Sequence, residues 1–140
     1  MKSHDWDELA SAAQIASGYA YAPYSQIRVG AALRTDSGNI FAGCNVENGS
    51  FGLTICAERV ALQSAIAQGE RNFEALAIFT SDANAMSPCG ACRQVLAEFV
   101  QRLPIISIGR GNLRREFDLA DLLPEAFGWP AGEAPQQQEV

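Results

Sequence analysis

Cys56-Ala57-Glu58-Arg59 and, further along, Pro88-Cys89-Gly90-Ala91-Cys92 are the two segments on which the reading of this chain turns. Together they bring three thiols and one carboxylate. Cys89 and Cys92 stand three residues apart at the expected start of a helix, and residues at that spacing share a helical face, so both sulfurs can reach one ion. Cys56 opens another expected helix. All three thiols would then lie near helix N-termini, where the dipole and the free N–H groups favour anionic sulfur. Three protein ligands leave one tetrahedral position open, the arrangement of a catalytic zinc, whereas a fourth thiolate from Cys44 would close the site into a structural one. Glu58 argues for the open form, because a structural site has no use for a carboxylate two residues from a ligand. For Cys56 and Glu58 to converge, Cys56 must occupy the very first turn. Three thiolates on a dication leave a net charge of −1, and Arg59 is placed to offset it by donating to sulfur.

Working outward, the helix that follows Cys56 is expected over residues 56–68, with Val60, Ala61, Leu62, Ala65 and Ile66 as its apolar positions and Gly69 as its stop. Residues 73–80 read as a strand, 81–88 as a loop, 89–102 as a third helix and 104–108 as a buried strand. Upstream, residues 3–20 carry helical periodicity, and 27–35 and 39–44 form a hairpin about Asp36-Ser37-Gly38. Gly30 and Gly43 lie inside those strands, where a missing side chain marks a bulge or a close approach. Residues 45–55 are polar and aperiodic, as a binding loop would be. A short edge strand over 114–118 and a last helix over 119–127 complete the domain, 1–129, and 130–140 has too few apolar groups to offset the cost of ordering. Helices alternating with strands predict an α/β fold with a partly parallel sheet covered on both faces.

Composition narrows the function. Ten Lys and Arg against sixteen Asp and Glu give a net charge of −6, which opposes the phosphate neutralisation on which non-specific nucleic-acid binding depends. The one basic cluster, Arg110, Arg114 and Arg115, reads as a solvated turn. No apolar run reaches the roughly 18 residues of a membrane span, and the N-terminus lacks the apolar core of a signal peptide, so a cytoplasmic protein is expected. In that compartment the four cysteines point to metal rather than to disulfides. His4, the single histidine, is expected in solvent rather than on a metal.

These motifs, with Arg93-Gln94 after the second, with Val29-Gly30-Ala31-Ala32-Leu33, and with Gly43-Cys44-Asn45-Val46-Glu47-Asn48 and Leu122-Leu123-Pro124, closely resemble the zinc-dependent cytidine deaminases of the small, three-cysteine, homotetrameric type. The resemblance covers most of the chain, about residues 19–127. It implies a three-layer α/β/α sandwich with a mixed, mostly five-stranded sheet and one Zn2+ per subunit held by Cys56, Cys89 and Cys92. It also implies hydrolysis of the C4 amino group of free cytidine or deoxycytidine in pyrimidine salvage. By the same resemblance Glu58 protonates N3 and carries a proton to the departing amine. Asn45 and Glu47 meet the ribose, the Ala57 N–H meets the pyrimidine O2, and Phe127 reaches the base in a neighbouring subunit. The partners implied are a nucleoside and further copies of the chain, with neither nucleic acid nor membrane.

Ile27-Arg28 stands where the family often has Phe-Pro. The lost ring forgoes stacking of about 1–3 kcal/mol per base, so Ile27 implies weaker cytidine binding or a wider pocket. Phe51 stands where Tyr is usual, removing a hydroxyl near the sugar, and Gly49 replaces a small side chain. A modified cytosine nucleoside, of the blasticidin type or substituted at N4, is therefore the alternative substrate, and a non-catalytic zinc module the alternative outside enzymology.

Overall fold

Alternation along β1 (Val29–Thr35) sets the layers of the molecule. Ala31 and Leu33 enter one apolar cluster and Ala32 the other, as expected for a strand buried on both faces. The same split recurs in β3 (Phe73–Thr80), with Leu76 and Ile78 on one side and Ala75 and Ala77 on the other, and in β4 (Pro104–Ile108), with Ile105 opposed to Ile106. The computed structural model describes residues 3–129, so the expectation for 130–140 lies outside the described residues, as does the side chain of His4.

With β2 (Ile40–Cys44) and β5 (Arg114–Asp118) the sheet has the order β2-β1-β3-β4-β5, antiparallel throughout except for the parallel β3–β4 pair. Helix α1 (Ser3–Ser17) covers one face through Leu9 and Ala13. Helices α2 (Ala57–Ala67), α3 (Gly90–Ala97) and α4 (Leu119–Leu122) lie on the other side, where Ala61, Leu62, Ala65, Leu96 and Leu119 share the cluster of Ala31 and Leu33. The result is a three-layer α/β/α sandwich on a mixed five-stranded sheet.

The two strand glycines permit this layering by close approach. A Cβ on Gly30 would stand 1.8 Å from the Ala13 carbonyl oxygen of α1, and one on Gly43 would stand 2.5 Å from the Ala61 nitrogen of α2. Several boundaries move from expectation. Helix α1 stops at Ser17 rather than Ala20, with Gly18 N–H turned back to Ile15 O at 3.1 Å. Helix α3 ends at Ala97, and the apolar periodicity of Phe99 and Val100 continues through a tight turn in which both N–H groups reach Leu96 O. Helix α4 is four residues long because Pro124 disfavours helical backbone at Leu123, which adopts φ −136°, ψ 69°. Residues 45–55 are more ordered than a loop: Val46 bridges to Tyr21 and Ile55, and Phe51–Leu53 form a 3-10 turn.

Candidate active site

Both thiol motifs meet at the N-terminal ends of helices on one face of the sheet. Cys56 and Cys89 are the N-caps of α2 and α3, each in extended backbone, with φ −71°, ψ 153° and φ −65°, ψ 164°. Cys92 follows in the first turn of α3, and its N–H donates to Cys89 Sγ at 3.4 Å. The three sulfurs lie within 4.8 Å of one another, with Cys56 and Cys89 3.7 Å apart. Two thiolates on one zinc at about 2.3 Å, set at a tetrahedral angle, stand about 3.8 Å apart, so the donor set fits that ion. Cys44 stands elsewhere, in an apolar groove with Tyr19 and Val60, and is not among the clustered thiols. The closed four-thiolate alternative is thereby overturned.

Because Cys56 is the N-cap, Glu58 falls in the first turn of α2 beside the thiols. It is 5% exposed, and burial is the main cause that pushes its carboxyl above the ordinary range, with the nearby Cys56 sulfur adding to the rise. In the thiol cluster alone, the hydrogen bond from Cys92, with further help from Arg59 and Cys89, outweighs burial and lowers Cys56 to about 5. Cys92 is pushed up in turn, first by its bond to Cys56 and then by burial. Arg59 Nη2 donates to Cys56 Sγ at 3.3 Å, and its own pKa rises mainly through that bond. Its buried Nε has no acceptor. Arg59 thus favours the anionic form at Cys56, the sulfur it touches.

Cys56, Cys89 and Glu58 line a cavity of about 290 Å³ together with Ser25, Ile27, Val29, Asn45, Thr54, Ala57, Ile78, Thr80, Met86 and Ser87, while Cys92 and Arg59 lie outside its lining. Ala57 lies at the first turn of α2, where helix N–H groups have no intrahelical acceptor. Asn45 is at the wall, but its amide is occupied by backbone: Oδ1 accepts from Val29 N–H at 2.8 Å and Nδ2 donates to Ile27 O at 2.9 Å. Glu47 is not in the lining. Its Oε1 accepts from Tyr24 and Ser25 N–H at 2.9 and 3.1 Å, and Oε2 from the Ser25 hydroxyl, the bond that does most to hold its pKa below the usual value. Phe51 and Phe127 are 73% and 80% exposed and also lie outside the lining of this cavity. Phe51 meets Tyr24 edge to face at 5.6 Å. Sequence reasoning missed Thr54, Thr80, Met86 and Ser87. Of these, Thr80 was within reach, because ligands gather beyond the carboxyl ends of parallel strands and Thr80 ends β3.

Residues 4–107 match the family model described as the cytidine and deoxycytidylate deaminase zinc-binding region. The chain belongs to the cytidine and deoxycytidylate deaminase family. Within this deaminase family it is 43% identical to a cytidine deaminase of Sporosarcina psychrophila over 88% of this chain and 91% of the relative. It is 41% identical to a cytidine deaminase of Mycobacterium tuberculosis over 91% and 93% of the two chains. A crystal structure of cytidine deaminase from Burkholderia pseudomallei superposes with a TM-score of 0.84 at 46% identity, covering 91% of this chain and all of that one. The deaminase fold is thus shared with that structure over most of this chain, and the family's zinc-binding region spans all three clustered cysteines.

Proposed function

We propose that this protein is a zinc-dependent cytidine deaminase that converts free cytidine and deoxycytidine to uridine and deoxyuridine with release of ammonia. The observation that carries this reading is a buried carboxyl, Glu58, set beside three clustered thiols and lining, with Cys56 and Cys89, a cavity of about 290 Å³. Cys56, Cys89 and Cys92 would hold the ion, which when bound makes water nucleophilic near neutral pH. Arg59 offsets the third negative charge through its bond to Cys56.

Glu58 is the proton carrier. Its burial raises its proton affinity toward the range in which a carboxyl both accepts and releases protons. It takes a proton from the attacking water, delivers it to N3 of the cytosine, and then moves the second proton to the amino nitrogen as the C4–N bond breaks. The ring keeps the water oxygen and the nitrogen leaves as ammonia. Ala57 presents an N–H for O2, and Ile27 and Asn45 bound the cavity around base and sugar. Glu47, Phe51 and Phe127 lie outside this cavity. In our reading Glu47 serves the ribose from the loop it braces, while Phe51 and Phe127 complete the pocket between copies of a homotetramer.

The reading places the enzyme in the cytoplasm, in accord with the absence among the described residues of a helix long and apolar enough to cross a membrane. Ammonia release from cytidine by zinc-loaded protein tests it, and a metal-loaded protein inert toward cytidine and deoxycytidine would end it. One observation favours a second substrate class: the described lining, with Ile27, Val29, Ile78 and Met86, contains no aromatic ring. An aliphatic wall makes no demand for flat stacking, so a modified cytosine nucleoside is the alternative. It is excluded if such compounds react far more slowly than cytidine. A non-catalytic zinc module is separated from either enzyme by Glu58→Ala, which removes turnover from an enzyme and leaves its metal.

A further inference from the structure

Residues 86–88 carry no regular secondary structure, yet Met86 and Ser87 form part of the cavity wall and Cys89 follows directly as a thiol of the cluster. Such a strap needs external support to hold one path. Two side chains supply it. Ser107, fully buried on β4, donates its hydroxyl to Met86 O at 2.6 Å and accepts from Met86 N–H at 3.1 Å. Arg93, half-buried in α3, uses all three guanidinium nitrogens on three acceptors: Nε on Pro88 O at 2.8 Å, Nη2 on Ser87 Oγ at 3.2 Å, and Nη1 on Leu122 O at 3.0 Å. The neighbouring Gln94 donates Nε2 to Phe127 O at 3.1 Å.

A surface arginine that merely capped α4 would need only the Leu122 bond. The other two bonds go to the residues immediately before Cys89, and a planar fork that serves two segments at once fixes one relative to the other. We propose that Arg93 is a positioning residue for the reaction. It sets the path along which Ser87 and Pro88 deliver Cys89, and it ties that path to the end of α4. Ser107 does the corresponding work for Met86, at the wall. The kinetic part rests on the deaminase reading; the metal part does not.

The test uses the full chain loaded with Co2+ or Zn2+, comparing wild type with Arg93→Met, Arg93→Lys and Ser107→Ala. For Arg93→Met we expect metal affinity, measured by chelator competition, to fall about tenfold or more, with displaced cobalt–thiolate absorption bands and a lower kcat. Arg93→Lys should regain thermal stability without regaining the band positions, because one ammonium cannot span three acceptors of fixed direction. Ser107→Ala should raise KM severalfold and leave the cobalt spectrum unchanged. Native bands, affinity and kcat in Arg93→Met would overturn the positioning role, whatever happens to its melting temperature. If Arg93→Met fails to fold, Arg93→Lys decides by the same spectral criterion. Wild-type protein that holds cobalt but releases no ammonia would instead remove the deaminase reading and leave the spectral comparison standing.

Discussion

Glu58 combines two demands that conflict at most positions: it must be buried enough to hold a proton and close enough to the thiols to act beside the ion. Both are met because the capping position of Cys56 turns the first residues of α2 into the cavity. Glu58→Gln keeps the shape and removes the proton carrier, so kcat should fall by about 10²- to 10⁴-fold while the zinc content measured by atomic absorption stays at that of wild type. Glu47 behaves differently. Its pKa is lowered in the fold, chiefly by the Ser25 hydroxyl and further by the Ser25 and Tyr24 N–H groups. A depressed carboxylate adds stability that is complete above its unfolded value and is lost as pH falls through the folded one. The loop at Tyr24–Ser25 should therefore loosen below about pH 4.5, the ordinary value of the group. Limited proteolysis between pH 3.5 and 7 should show this step in wild type and not in Glu47→Gln.

At the scale of elements, the closest approaches are made by glycine. A Cβ on Gly30 would overlap the Ala13 carbonyl at 1.8 Å, and backbone on a packed helix cannot give way as a flexible side chain can. Gly30→Ala should cost at least the roughly 1–3 kcal/mol of an overpacked core, and urea unfolding measures it. The sequence showed that these glycines were unusual but not what approached them, because the partner of a missing side chain lies in another element. The metal cluster was legible for the opposite reason: Cys89 and Cys92 define a face by spacing alone, and Cys56 needs only to cap a helix. Helix ends were less legible. Phe99 and Val100 keep the apolar rhythm of α3 after the helix has ended, since a turn packed on the core needs apolar residues too. Pro124 ends α4 early in the same way: the expected helix ran on to 127, past a residue that disfavours helical backbone just before it. The strap at 86–88 could not be read, because its supports come from Arg93 and from Ser107 on a different strand.

For the whole molecule, the exposed aromatic residues mark the surface that the homotetramer we propose would use. Phe51 and Phe127, with Tyr21, Tyr24 and Leu53, leave large apolar side chains in solvent, and the homotetramer we propose would cover some of them. Phe127→Ala should raise KM for cytidine severalfold with little change in the thermal midpoint, since an 80% exposed ring adds little to the monomer core. Light scattering on the same variant reports whether assembly survives.

The two borders of the sheet also differ in a way that matters once the protein is concentrated. β5 ends the sheet with Arg114, Arg115 and Glu116, charges of the kind that stop strands of neighbouring molecules from docking. β2 ends it with Ile40, Phe41, Ala42, Gly43 and Cys44 and no charge at all. If the proposed tetramer shields β2, a single chain still offers a template for fibril-like growth on that side, and a lysine at exposed Ala42 is the gatekeeper this border lacks.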